Sequence, residues 1–168
     1  MTIVIQRSVK DRSGMVECHT LYGEKKLVPV ESLSFRPSAY AVLKKDGQVL
    51  LAKMRSTGAY CLPGGGIELG ETIEAGLKRE VREETGITIE LGRLAHFRED
   101  FFYYDPLDQA FHSFMFFYVC APLTTELKPD EQVDDAEAES PRWIDINHLK
   151  PDDFFNDGEA ILAMLRVQ

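Results

Sequence analysis

Glu80, Glu83 and Glu84 are related by i, i+3 and i, i+4 spacing. On a helix advancing about 100° per residue they fall within roughly 100° of arc, so three carboxylates share one side. Ile73, Leu77 and Val81 form the apolar stripe of that helix, and Glu84 lies one heptad beyond Leu77, at the edge of the buried face or on it. Lys78 and Arg82 project to the opposite side, and Arg79 is expected to partner only one acid, Glu83. Most charge runs are solvated helix faces. Two costs argue otherwise here: like charges at helical spacing repel, and a partly buried carboxylate without a partner is unfavourable. A hard divalent cation with oxygen ligands removes both. Mg²⁺ fits best, because it is held by a few carboxylates and completes its shell with water and substrate phosphates; Mn²⁺ is the expected substitute.

The elements around this helix give the acids a setting. Ser38–Lys44 and Gln48–Met54 are apolar-rich runs joined by Asp46-Gly47, a dipeptide suited to a type I′ hairpin. Pro63-Gly64-Gly65-Gly66 follows and lets backbone groups approach a metal or phosphate closely. Thr72 to Glu84 reads as the helix, with Thr72 as its cap and Gly86 as its left-handed stop. Thr88–Phe102 and Ala110–Ala121 read as strands; the second is apolar on both alternating faces, the pattern of a central strand covered on both sides. Thr124–Glu139 reads as an acidic loop, Arg142–Ile146 as a short strand and Asp157–Val167 as a closing helix. Met15–Tyr22 is a candidate strand followed by a turn at Gly23-Glu24-Lys25-Lys26. The pattern predicts an α/β (α+β) fold, a mixed β-sheet sandwiched between α-helices, with residues 1–35 as a short β-rich lead-in to a domain over 36–168.

Composition narrows the function. The 168 residues are 44% hydrophobic and 28% charged, which suits a packed domain. A formal charge of −9, from 28 acids against 19 bases, makes nucleic acid an unfavourable partner and requires phosphate chemistry to bring its own cation. No apolar run reaches the roughly 18 residues of a membrane span, and the N-terminus lacks the apolar stretch of a signal peptide. The three scattered cysteines, Cys18, Cys61 and Cys120, suit reduced thiols in the cytoplasm.

Gly65, Glu71, Arg79-Glu80, aliphatic Val81, Glu83-Glu84, Gly86 and aliphatic Ile87 resemble the Nudix box at every defining position. The hairpin before it, Leu62-Pro63-Gly64-Gly65 leading in, and Arg142-Trp143 near the end also look like that family. The resemblance implies the Nudix fold and metal-dependent hydrolysis of a nucleoside diphosphate linked to another group, with water attacking phosphorus. It implies that Glu80 and Glu84 are principal metal ligands, that Glu83 is a further ligand or organises water, and that the Gly64 carbonyl completes the shell. By the same resemblance Arg79 orients a glutamate, Glu71 reaches the metal cluster from the loop, and one of Glu131, Glu137 or Glu139 adds a late acid.

Several residues bear on the substrate. The family often has Trp where this chain has Tyr60, which either stacks on a base or packs. Lys53 and Arg55 are candidates to clamp terminal phosphates. Tyr103 and Tyr104 follow the box at a spacing that resembles dinucleoside polyphosphate hydrolases, with aromatic packing as the alternative. Pro106 lies too far along to match ADP-ribose hydrolases, and the longer motif of the NADH-cleaving subgroup is absent. The expected partner is a small nucleotide, and the aromatic-rich strand with its β lead-in makes a homodimer an option. The competing readings are a non-catalytic nucleotide-binding Nudix domain, disfavoured by the complete set of acids, and an isomerase on the same fold, which departs from this box spacing.

Overall fold

A computed structural model describes residues 2–5, 14–133, 138–155 and 158–166. The chain runs through β1 (Thr2–Ile5), β2 (Met15–Thr20), β3 (Lys25–Pro29), β4 (Leu33–Lys45), β5 (Gln48–Met54), β6 (Tyr60–Cys61) and β7 (Gly64–Gly66). It continues through α1 (Ile73–Thr85), β8 (Ile89–Tyr104), β9 (Gln109–Pro122), β10 (Ala138–Asp145) and α2 (Gly158–Arg166).

The strands form one mixed sheet in the order β10-β5-β4-β9-β8-β2-β3, with β6 and β7 as short additions to β5 and β4. β9 lies at its centre, parallel to β4 from Leu33↔Ala110 to Leu43↔Cys120 and antiparallel to β8 from Ile89↔Pro122 to Tyr104↔Gln109. Its alternating side chains feed two cores. Phe117 faces the cluster of Val42, Val49, Leu51 and the α2 residues Ile161, Leu162 and Leu165. Cys120, Phe116 and Tyr118 face the cluster of Ala39, Ala41, Leu43, Leu50 and the α1 residues Leu77 and Val81. This is the centrally placed, doubly covered strand that its apolar pattern predicts. No helix among the described residues is long and apolar enough to cross a membrane.

The hairpin turn has Asp46 at φ 50° and Gly47 at φ 78°, the positive pair that a type I′ turn requires. In α1 the Thr72 hydroxyl accepts from the Ala75 N–H at 3.1 Å, and Gly86 closes the helix at φ 79° with its N–H on the Arg82 carbonyl. Leu77 and Val81 are fully buried beneath it, each contributing roughly 1.5–3 kcal/mol by leaving water.

Several boundaries differ from the sequence expectation, among them that of β4, which starts at Leu33, five residues before Ser38. Lys25 and Lys26 belong to β3 rather than to the turn, because they pair with His19 and Cys18. The last strand starts at Ala138, not Arg142, and pairs with β5 from Ala138↔Met54 onward. Pro141 disguises this start; it sits at a register shift between Glu139 and Arg142 on an edge strand, where a missing N–H is tolerated. The closing helix spans Gly158–Arg166; Asp157 and Val167 lie outside the described residues. The lead-in strands extend the same sheet, β2 and β1 both running parallel to β8.

Candidate active site

The glycine strand β7 is laid beside α1 by its pairing with β4, Tyr40 opposite Gly64 and Ser38 opposite Gly66. Gly64 is obligatory there: its φ is +133°, and an added Cβ would stand 2.2 Å from the Ala39 carbonyl oxygen. Its N–H donates to Glu84 Oε2 at 2.8 Å, so the buried Glu84 carboxylate is aimed at the glycine strand. At Gly65 a Cβ would meet the Glu80 carboxylate at 2.9 Å, so the missing side chain is what gives that carboxylate its space.

Arg79 ties the acids together, and in doing so departs from the single partner expected of it. Its Nε and Nη2 donate to Glu71 Oε1 and Oε2 at 2.8 and 3.0 Å, and its Nη1 donates to Glu80 at 2.9 Å and Glu83 at 3.1 Å. Nη2 also donates to the Gly66 carbonyl at 3.2 Å. Helical spacing alone hides this, because Glu71 arrives from the loop and the guanidinium offers five donors in one plane. The Glu71 carboxyl is held far below the usual range, at about 2, chiefly by the Arg79 hydrogen bond and then by the Glu68 N–H. Arg79 is correspondingly raised above its ordinary value, first by Glu71.

A lowered folded-state value stabilises the fold above the ordinary carboxylate pKa of 4.5, and that contribution fades as pH falls toward about 2. Carboxyl-carbon NMR of the folded protein is therefore expected to show Glu71 titrating near 2, and Arg79→Ala to return it toward 4.5. A parent titration at 4.5 would contradict the ion pair.

The acids open onto different surfaces. Glu80 and Glu84 line a cleft with Gly64, Gly65, Gly66 and Arg36 at the edge of β4. Glu83, 45% exposed, faces a neighbouring hollow with Arg82 and Lys128. Among the described residues no three His, Cys, Asp or Glu side chains converge on one point, and the Arg79 guanidinium stands among Glu71, Glu80 and Glu83. The donor set is nonetheless all oxygen, with two carboxylates on one cleft wall and space preserved at Gly65, which fits a hard divalent cation such as Mg²⁺ or Mn²⁺.

The other sequence candidates lie apart from this cleft. Arg55 pairs with Glu139 at 2.7 Å, and the Lys53 ammonium stands 5.8 Å from the Tyr60 ring, which packs against the α2-side core. Tyr103 is buried against Val16, Cys18 and Val28, with its hydroxyl donating to Asp108 and Lys26 over its ring. Its neighbour Tyr104 points the other way, into a cavity of about 240 Å³ on the α2 face of the sheet. Glu131 is exposed in a 3₁₀ turn, and neither it nor Glu139 lines the cleft; Glu137 lies outside the described residues.

That cavity is barely legible in the sequence. Phe102, Tyr104, Phe111 and Met115 line it, and the buried pair Arg98–Asp100, 2.6 Å apart, forms a polar part of its wall. Charged residues at alternate positions of a mostly apolar strand are the one trace it leaves in the sequence. Nearby, burial and then the Asp100 charge push the Cys18 thiol up to about 11, so it is protonated and unreactive at neutral pH.

Comparison with known proteins bears on the same segment. The profile of the NUDIX domain matches residues 34–165. A "MutT-like protein" of Streptomyces ambofaciens is 44% identical over 66 residues, covering 39% of this chain and 41% of its own length. An "ADP-ribose pyrophosphatase" of Methanocaldococcus jannaschii is 30% identical over 112 residues, covering 64% of this chain and 60% of its own. The chain thus spans less than two thirds of either relative. Among solved structures, a MutT NUDIX hydrolase from Burkholderia pseudomallei superposes with a TM-score of 0.61 at 23% identity, covering 78% of this chain and 98% of its own; this likeness is one of fold.

Proposed function

The chain belongs to the NUDIX domain family, and from that premise we propose that it hydrolyses a phosphoanhydride in a nucleoside diphosphate linked to another moiety. The observation that carries this reading is the cleft that puts Glu80 and Glu84 opposite a glycine strand and next to a cavity large enough for part of a ligand. The names of the relatives, a pyrophosphatase among them, support the same class of bond.

Glu80 and Glu84 would hold the divalent cation, with Glu83 beside them and Gly64 on the cleft wall. When bound, that cation would neutralise the diphosphate and acidify the attacking water. The chain's own residues perform the rest. The Gly64 N–H fixes Glu84, and Arg79 fixes Glu71 and Glu80 by charge-assisted hydrogen bonds. Glu83, a side chain 45% exposed, spends Oε2 on Arg79, and its Oε1 accepts the proton from water. Water adds to one phosphorus, the bridging oxygen leaves on the other, and two phosphorylated products result.

A panel of sugar nucleotides, dinucleoside polyphosphates, ADP-ribose and oxidised nucleoside triphosphates, assayed with Mg²⁺ or Mn²⁺, tests the reading. At least one member is expected to yield a nucleoside phosphate, and excess EDTA to abolish the yield. Inactivity across the panel, with no heat on titrating either metal into the protein with nucleotide present, would favour an inert binding domain.

A further inference from the structure

The carboxylate cleft and the aromatic cavity lie at the edge and on one face of the sheet, and both are lined by Arg36 and Phe111. At about 240 Å³ the cavity is smaller than the roughly 300–1,000 Å³ of a pocket that encloses a whole ligand, so it suits one end of a longer molecule. Its aromatic walls suit a flat ring, and the Arg98–Asp100 pair gives the wall a polar part. A molecule with its ring there and its anhydride beside Glu80 and Glu84 must pass Arg36.

Arg36 is built into that passage. Its side chain leaves β4 on the cavity face, its Nη1 donates to the hydroxyl of fully buried Ser38 at 3.1 Å, and its guanidinium carbon stands 5.7 Å over the Phe111 ring. Its Nη2 borders Gly66 at 3.8 Å from where a Cβ would be, while Arg79 bonds the carbonyl of the same glycine. The charged residues that line the cleft are otherwise acidic, Glu68, Glu80 and Glu84. Lys53 and Arg55, which strand position alone offers for phosphate, line neither hollow.

We propose that Arg36 binds the nucleoside-side phosphate of the substrate, at the passage between the carboxylate cleft and a cavity that takes the base. This rests on the nucleotide reading above and deepens it, by naming the residue that sets how far the anhydride reaches past the sheet edge. A guanidinium fork suits a phosphate, to which it can donate two parallel hydrogen bonds.

The test is calorimetric binding of the ribonucleoside 5′-monophosphates and of their nucleosides, in Mg²⁺, to the parent protein and to Arg36→Gln and Arg36→Lys. The parent is expected to bind a monophosphate more tightly than its nucleoside. Arg36→Gln is expected to weaken the monophosphate about ten- to a hundredfold and leave the nucleoside unchanged, with Arg36→Lys in between. Thermal unfolding confirms that each variant is folded, and the nucleoside itself reports an intact cavity. Equal affinity of the parent for nucleoside and monophosphate, or undiminished monophosphate binding by Arg36→Gln, overturns the assignment. Because none of these probes is hydrolysed, a negative result here leaves the proposed reaction standing, and an inactive panel above leaves this binding result readable.

Discussion

Glu83→Gln is expected to cut turnover by roughly a hundredfold or more, the loss that follows removal of a positioned proton acceptor. The amide keeps the size of the carboxylate and can still accept from Arg79 Nη1, so the ion-pair cluster keeps two of its three acids, Glu71 and Glu80. What disappears is the charge, and with it the capacity of Oε1 to hold a proton from water. The side chain is 45% exposed, so the fold has little stake in it. Surface changes of this kind shift stability by no more than about 0.5 kcal/mol, or about 2 °C in unfolding midpoint. Steady-state kinetics and a melting curve read the two effects separately. A folded Glu83→Gln protein with parental kcat would remove Glu83 from the chemistry.

Leu77→Ala is expected to have the largest effect on stability, about 2–5 kcal/mol, because Leu77 is fully buried and its truncation leaves a void as well as lost transfer energy. Leu77 joins α1 to Ala39, Ala41, Leu43 and Leu50, the layer that holds the acids against the glycine strand. At about 2–4 °C per kcal/mol the midpoint should fall by about 10 °C. Turnover at low temperature should stay near the parental level, since Val81, Ile87 and Ile89 keep the helix docked. Denaturant unfolding measures the loss directly. A change below about 1 kcal/mol would mean that α1 does not rest on the sheet as described.

The sequence by itself determined what is local. The spacing of Glu80, Glu83 and Glu84 on one helical side follows from 3.6 residues per turn, and the Thr72 cap and Gly86 stop follow from backbone chemistry at the helix ends. Asp46-Gly47 specified its hairpin for the same kind of reason, and the apolar residues on both alternating faces of β9 announced a strand covered on both sides. Tertiary structure decided what depends on distant strands meeting. Arg36, Phe111 and the Arg98–Asp100 pair become neighbours only when β4 pairs with β9 and β9 with β8, and no period in the chain encodes which strands pair. Tyr103 and Tyr104 illustrate the limit: adjacent in sequence, they point to opposite faces by the pleat, and only the sheet's neighbours settle which one meets the cavity. Arg79 gathers three acids rather than one: Glu80 is its neighbour in the helix, and the loop residue Glu71 is folded back onto it, a contact that tertiary packing alone supplies.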